Sequence, residues 1–192
     1  MNKILKKRIM IVICIVSVLI TGVSSLVAFG DNKAKADSYE EAHMKKYQHY
    51  LNQNYNMNLE EDGHFGCKTA QATVKVIQRL YNEVYKTNLK VDGKWGPKTE
   101  AAINSHRIYK GTKNKIVKFF QVMYNYCWLQ DYVIPIDGCF GPKTAEAIES
   151  FYKDNYETFG DHPKTPHIFG RVWTYMLEPC CGWFYGCPLT GI

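Results

Sequence analysis

Acidic and histidine side chains that could bind a metal ion lie together in a proline-rich segment near the C-terminus. Asp161, His162 and His167 offer the carboxylate and imidazole groups that zinc accepts. However, Pro163 and Pro166 interrupt the segment, the spacing suits no helix face, and no further ligand is evident. The sequence therefore predicts no metal site there.

The C-terminal tail carries cysteines that could act as nucleophiles. It runs from Cys180 to Cys187 as CCGWFYGC, but a nucleophilic cysteine needs a neighbouring base and a supporting fold, and only thirteen residues follow Pro179. We expect the tail to fold back onto the rest of the chain, with an exposed patch for a partner as the alternative. No zinc, Cys-His or paired-carboxylate pattern is evident, so the sequence predicts neither an enzyme nor a cofactor.

The cysteine count indicates an oxidising compartment. Seven cysteines are present, and six remain if the N-terminal segment with Cys14 is removed. An even number in an exported chain favours disulfides, and we expect them to hold the tail against the C-terminal half. The alternative is that some are free, buried thiols. The sequence has no C-x-x-C pair, the spacing that would indicate a zinc site. The disulfide candidates are Cys67, Cys127, Cys139, Cys180, Cys181 and Cys187.

Residues 1–36 have the pattern of an export signal. A basic cluster at 6–8 precedes an apolar run at 9–29, and an A-x-A cleavage site follows at 34–36. The run is nearly as long as the ~20 residues of a membrane span, so an uncleaved anchor is the alternative to secretion. Without this segment the net charge falls from +6 to about +1. We therefore expect no nucleic-acid binding, because the folded part lacks excess positive charge.

A motif with the pattern D-G-x-aromatic-G-[PC]-K-T occurs three times. Each copy follows a segment with a glutamine (Gln48, Gln78 or Gln121) and an asparagine four residues later. The first two copies are thirty residues apart at every matched position, and a decayed fourth copy begins at Ile168. These matches indicate an internal repeat. The repeated positions are Asp62, Gly63, Gly66 and Thr69, then Asp92, Gly93, Gly96 and Thr99, then Asp137, Gly138, Gly141 and Thr144.

Each repeat predicts a helix, a loop, a sharp turn and a second helix. Asp-Gly marks the turn because glycine accepts a positive φ, and Pro97 or Pro142 marks the first turn of a helix. The motif threonine is expected to satisfy backbone groups of that first turn. The helix after Thr69 runs into the segment of Gln78, so one helix serves two repeats. The predicted fold class is all-α.

This pattern resembles the peptidoglycan-binding-domain-like family, a small three-helix module found on many bacterial wall hydrolases. The resemblance covers roughly residues 40–178. It implies two tandem modules built from helix-loop-helix repeats, and the chain departs from the family pattern where Cys67 replaces a proline, where Lys45 and Lys46 are unusually polar, and where the fourth copy lacks Asp-Gly. The expected divisions are a first module at 40–108, a linker at 109–115, a second module at 116–178 and a tail at 179–192.

The resemblance implies attachment to bacterial peptidoglycan without catalysis. The alternatives are a structural or protein-binding protein that reuses the scaffold and, less expected, a wall hydrolase. The repeated motif positions are expected to be scaffold, whereas glycan strands more often bind exposed aromatic faces and convergent polar groups. Tyr85, Tyr126 and Trp128 lie where a groove should be flanked. The candidate ligand contacts, each with a core or solvated-surface role as the alternative, are Trp95, Trp128, Tyr85, Phe140, Lys98 and Lys143.

Overall fold

Helices make up most of the structure. A computed structural model describes residues 26–127, 133–154 and 166–181. Within these residues there are six helices and one two-stranded antiparallel sheet, so the helical class is confirmed, but the all-α prediction missed the sheet. The elements in chain order are α1 (Leu26–Tyr55), α2 (Cys67–Tyr85), α3 (Pro97–Ser105), β1 (Ile108–Tyr109), α4 (Lys115–Cys127), α5 (Pro142–Asp154), β2 (His167–Ile168) and α6 (Gly170–Cys181).

Helix starts follow the glycine and proline of the motif. Gly96 precedes α3 in an extended conformation (φ −110°, ψ 176°), and Pro97 is the first residue of that helix. Gly66 precedes α2 in a similar conformation (φ −86°, ψ −176°), with Cys67 where the other copies have proline. Because proline lacks an N–H and its φ is preset for a helix, it suits the first helical position. The starts predicted from the two prolines, Pro97 and Pro142, are confirmed.

The helix α2 serves two repeats, as predicted. It begins at Cys67, within the first motif copy, and carries Gln78 and Asn82 of the second repeat in its C-terminal half. α1 and α2 also end in the same way, since the amides of Asn56 and Lys86 each donate to a carbonyl four residues earlier at 3.0 Å. Lys86 then adopts the left-handed conformation (φ 58°) that stops the helix.

The helix α4 lies at the centre of the packing. It contacts α1, α2 and α6. The sequence predicts an apolar face that includes Val117 and Phe120, but Phe119, Val122 and Met123 are also fully buried. A helix that is apolar around most of its circumference must be covered on several sides. The three neighbouring helices therefore explain a burial pattern that a single amphipathic face does not.

The two predicted modules share one hydrophobic core. α6 contacts α2 and α3 as well as α4. Trp173 of α6 is fully buried, its ring centroid is 6.2 Å from that of Phe119, and its Nε1 donates to the Tyr81 hydroxyl at 3.4 Å. Asn104 of α3 accepts the amide of Gly170 through Oδ1 at 3.1 Å. The halves are thus packed into one another, and the structure does not show two separate tandem modules.

The predicted linker at 109–115 is hydrogen-bonded to the second half. β1 pairs with β2, so that Ile108 lies opposite Ile168. Beyond β1, the amide of Gly111 donates to the Phe140 carbonyl at 2.9 Å and the amide of Phe140 donates to the Thr112 carbonyl at 2.8 Å. Polar backbone groups need partners, and here the third motif copy supplies them. The segment is therefore part of the fold.

The predicted leader lies largely outside the described residues. α1 is described from Leu26 and passes through the predicted cleavage site at 34–36. Among the residues whose burial is described, from Tyr39 onward, the first buried one is Met44. Of the helices in the described residues, none combines the length and apolar character needed to cross a membrane. Residues 182–192 of the tail also lie outside the described residues.

Candidate functional site

A buried glutamine holds the turn of each repeat. Nε2 of the fully buried Gln121 lies 3.0 Å from Asp137 Oδ1, 3.1 Å from the Cys139 carbonyl oxygen and 3.0 Å from Thr144 Oγ1. Its Oε1 accepts the amide of Gly138 at 2.8 Å. Since an amide N–H can only donate, this last contact identifies the oxygen end of the side chain. The same four contacts are made in the other two repeats by Gln48 and Gln78.

The motif aspartate stabilises its own turn. Asp137 Oδ1 accepts the amide of Cys139 at 2.8 Å, and this bond lowers the pKa of the Asp137 carboxyl below its ordinary value. Asp62 and Asp92 occupy the equivalent positions, and hydrogen bonds lower the pKa of each in the same direction. All three carboxylates lie at the surface, and one oxygen of each accepts a backbone amide of the turn. These acidic side chains therefore have a structural role.

The glycine after each aspartate has a positive φ, as predicted. The angle is 76° at Gly93, and Gly63 and Gly138 have 77° and 72°. A Cβ at Gly93 would also lie 2.8 Å from the carbonyl oxygen of Gln71 in α2. Glycine is thus required both by the backbone conformation and by the close approach of a helix.

The motif threonine has a different role from the one predicted. Thr69 is buried and its Oγ1 lies 3.1 Å from Gln48 Nε2, and the hydroxyl donates to the His64 carbonyl at 3.4 Å. Thr99 and Thr144 make the same contacts in their repeats. The threonine therefore joins the glutamine to the turn and does not satisfy the first-turn amides of its own helix. Its hydroxyl is drawn into the core because the glutamine of the preceding helix lies beside it.

The asparagine four residues after each glutamine fastens the loop. Asn82 donates through Nδ2 to the Leu89 carbonyl at 2.7 Å and accepts the Leu89 amide through Oδ1 at 2.6 Å. Asn52 and Asn125 form the same two-point contact with Leu59 and Ile134. The sequence shows the repeated Gln-x-x-x-Asn spacing, but no role was predicted for it. The recurrence of this spacing in all three copies is the sequence feature that could have indicated a structural role.

Two of the predicted disulfide cysteines are free thiols. Cys67 is exposed at the start of α2, and Cys139 is half-buried in the third turn. In this structure neither thiol forms the disulfide expected from the sequence, and each lies in a motif slot of the scaffold. Cys127 is half-buried at the end of α4. Cys180 and Cys181 end α6, but their side chains, like Cys187, lie outside the described part.

Two of the predicted ligand contacts lie in the core. Trp95 is 5% exposed and Phe140 is 1% exposed, so neither ring has a face to offer a glycan, and both predictions are corrected to core positions. Phe140 is held inward because its backbone pairs with residues 111–112. Tyr85 is half-buried and stacks on His106, with ring centroids 4.5 Å apart.

The other predicted contacts do not meet at one site. Lys98 and Lys143 are exposed in the first turns of α3 and α5. Trp128 lies outside the described residues, one position beyond the end of α4. None of the candidates that the structure describes lines the groove reported below.

The segment considered for metal binding has a packing role where the structure describes it. His167 is buried in β2 and stacks between the rings of Tyr109 and Phe169, at centroid distances of 5.2 and 4.8 Å. Asp161 and His162 lie outside the described residues. Within the described ranges, no group of three or more His, Cys, Asp or Glu side chains could hold a metal ion.

A groove of about 520 Å³ runs along the solvent-facing side of α1. The opposite face of α1 is buried through Met44, Tyr47, Gln48 and Leu51. Helical periodicity therefore turns the intervening residues outward as two adjacent rows. The lining residues are Lys45, Lys46, His49, Tyr50, Gln53 and Asn54 of α1, with Glu61 of the following loop and Tyr126 of α4.

Lys45, His49 and Glu61 of this groove, called the α1 groove below, each contact another side chain. Lys45 Nζ lies 2.7 Å from Glu41 Oε1, and His49 Nδ1 lies 3.1 Å from Glu61 Oε1. Lys46 is exposed, and within the described part of the chain no residue forms a hydrogen bond or ion pair with its side chain.

The aromatic part of the α1 groove is held by a cluster of tyrosines. Tyr50 is half-buried and packs edge-on against Tyr55, with centroids 6.0 Å apart. Burial raises the pKa of the Tyr50 hydroxyl, so it stays protonated at neutral pH. Tyr126 is also half-buried, which leaves part of each ring accessible. Of the residues that line the α1 groove, only Tyr126 was expected from the sequence to lie at a groove. The unusually polar Lys45 and Lys46 were a sequence feature that could have indicated this exposed face of α1.

Comparisons with known proteins assign no family. No family model matches the chain, and no curated protein or solved structure is significantly similar to it.

Proposed function

We propose that this protein is an exported, non-catalytic binder of bacterial peptidoglycan and that the α1 groove receives the ligand. The observation that carries the proposal is the combination of accessible tyrosine rings, amide side chains and an unpaired cation on one exposed face. Ligand sites commonly combine apolar surface with a few convergent polar groups, and 520 Å³ lies within their usual range of ~300–1,000 Å³.

Peptidoglycan matches these groups chemically. Its sugar rings have apolar faces that can pack on Tyr50 and Tyr126, and its hydroxyl and acetamido groups can exchange hydrogen bonds with Gln53 and Asn54. Its stem peptides carry carboxylates, which suit a lysine. The groove residues span nine helical steps from Lys45 to Asn54, or ~13 Å, so the ligand would be a short stretch of polymer.

Two features of the sequence agree with this proposal. The N-terminal segment has the pattern of an export signal, which would bring the folded part to the wall. The repeats resemble a wall-binding family, and the structure explains their motif residues as scaffold for the turns. The motif therefore supports the fold, while residues outside the motif supply the binding surface.

Co-sedimentation with insoluble peptidoglycan sacculi tests the proposal. The full chain, kept soluble in a mild detergent, is mixed with increasing amounts of sacculi, and turbidity is followed in the same tube. We expect saturable pelleting and no clearing. Protein that remains in the supernatant at every sacculus concentration would refute wall binding, and clearing would show that the chain is a hydrolase.

A protein partner is the second candidate, favoured by the loop before the third turn. Val133 is 74% exposed and Ile136 is 37% exposed in this short loop, and exposed apolar side chains close together can mark a protein contact. A double Val133→Ser, Ile136→Ser variant should then lose a partner captured by the wild type while still pelleting with sacculi. Equal capture by the variant would exclude this loop as the contact.

A further inference from the structure

Among the residues that the structure describes, no acidic side chain pairs with Lys46 of the α1 groove. Lys45 is paired with Glu41 at 2.7 Å, and His49 faces Glu61 at 3.1 Å. Glu61 is also held by Asn52, whose Nδ2 lies 3.1 Å from Oε1. Lys45 and Glu61 thus each have a partner among the described residues, and the Lys46 ammonium group is available to an incoming anion.

Lys46 lies beside the aromatic part of the groove. Lys46, Tyr50 and Asn54 follow one another at intervals of four residues along α1, so they form one row on the helix surface. A sugar ring packed on Tyr50 would therefore have a cation at one end and an amide at the other. In peptidoglycan the anionic groups near a sugar are the carboxylates of the attached stem peptide.

We propose that Lys46 receives a free carboxylate of the stem peptide, so that the α1 groove selects peptidoglycan with free stem carboxylates over peptidoglycan in which they are amidated. This inference rests on the proposed function. It assigns the anion contact to Lys46 and not to Lys98 or Lys143, which lie on other helices.

The size of the effect follows from the exposure of the contact. An ion pair at a solvated surface changes affinity by up to about fivefold. Amidation should therefore weaken binding by up to about fivefold at low ionic strength. The difference should shrink as salt is added, because salt screens exposed charges.

The test compares two preparations of the same sacculi, one untreated and one with its carboxylates converted to amides by carbodiimide coupling to ammonia. Dissociation constants are measured by co-sedimentation of the full chain in mild detergent. The variants are Lys46→Gln, which removes the charge, Lys46→Arg, which keeps it, and the control Lys68→Gln, which makes the same change at an exposed position of α2 outside the groove. Circular dichroism compares their helix content.

Wild type, Lys46→Arg and Lys68→Gln should each prefer untreated sacculi, whereas Lys46→Gln should bind both preparations with similar, weaker affinity. A Lys46→Gln variant that still prefers untreated sacculi would overturn the assignment while leaving wall binding intact. Equal binding of the wild type to both preparations would also overturn it. Failure of the wild type to bind either preparation would refute the proposed function itself.

Discussion

Replacing Gln121 with glutamate tests whether the repeated glutamine stabilises the turn through its donor group. Glutamate has nearly the same shape, so it keeps the contact between its oxygen and the Gly138 amide. The change places a second oxygen where Nε2 now lies, 3.0 Å from Asp137 Oδ1 and 3.1 Å from the Cys139 carbonyl oxygen. One new acceptor oxygen on a fully buried side chain would then face two acceptor oxygens.

The loss in the free energy of unfolding at neutral pH can be estimated from the free energy needed to protonate the new carboxyl group. The new carboxyl group takes up a proton, because a charged form would be buried beside the Asp137 carboxylate. The protonated group again has one hydrogen-bond donor. Protonating a group with an ordinary pKa of about 4.3 at pH 7 costs about 1.36 kcal/mol for each of about 2.7 pH units, or about 3.7 kcal/mol. The loss of the second donor adds about 1 kcal/mol. The total is a large part of the ~5–15 kcal/mol that stabilises a typical domain.

Urea unfolding followed by circular dichroism at pH 7 and pH 5 measures this effect as the difference between variant and wild type. The Gln121→Glu variant should be less stable than the wild type by about 4–5 kcal/mol at pH 7. At pH 5 the difference should fall to about 2 kcal/mol, because protonation then costs only about 1 kcal/mol.

Gln71→Glu is the matched control for this prediction. Gln71 is half-buried in α2, outside the glutamine contacts, and the same change there should alter the free energy of unfolding by no more than about 0.5 kcal/mol. The reasoning would be refuted if Gln121→Glu lost less than about 1 kcal/mol at pH 7, or if its deficit did not shrink at pH 5.

Three further predictions concern the turns and helix starts. The pKa values of the motif aspartates Asp62, Asp92 and Asp137 are lowered in the folded state, so their stabilisation is present above the ordinary pKa of 3.8 and is lost as pH falls through the lower, folded values. A triple aspartate-to-asparagine variant should therefore lose less stability than the wild type as the pH falls below 3.8; equal acid sensitivity in circular dichroism titrations would contradict this. Gly93→Ala should destabilise by more than the ~1 kcal/mol of an ordinary glycine replacement, because its Cβ would lie 2.8 Å from a backbone oxygen. Gly96→Ala, where nothing lies within 4 Å of the added Cβ, is its control in urea unfolding, and similar losses would refute the steric argument. Cys67→Pro should stabilise by ~0.4–1 kcal/mol, because Gly66 already has the extended backbone that precedes proline; a lower thermal midpoint than that of the wild type would show that the cysteine is needed there.

The repeats allowed most of the local structure to be predicted from the sequence. Asp-Gly predicted turns with positive φ, and Gly93 and its equivalents have it. Pro97 and Pro142 predicted helix starts, and α3 and α5 begin there. These predictions succeeded because turn conformation and helix initiation depend on residues that are adjacent in the chain.

The sequence pattern did not show which of its residues contact one another in the folded chain. The spacing showed that Gln121 recurs, but only the folded chain shows that it bonds a turn sixteen residues later. For Trp95 and Phe140 the sequence allowed both a ligand contact and the commoner core role, and in the structure both side chains lie in the core. The threonine was predicted to cap its own helix, but packing against the preceding helix gave it another partner.

The sequence by itself determined the helices, the turns and the sharing of α2 between two repeats, because these follow from local conformational preferences and periodicity. The tertiary structure decided that the two halves share a core around α4 and that the polar face of α1 forms a groove with Tyr126. The physical reason is that periodicity specifies which face of a helix is apolar but not which helix covers it. Burial of α4 on several sides, and hence the position of Tyr126 beside Lys46 and Tyr50, depends on contacts between residues far apart in the chain.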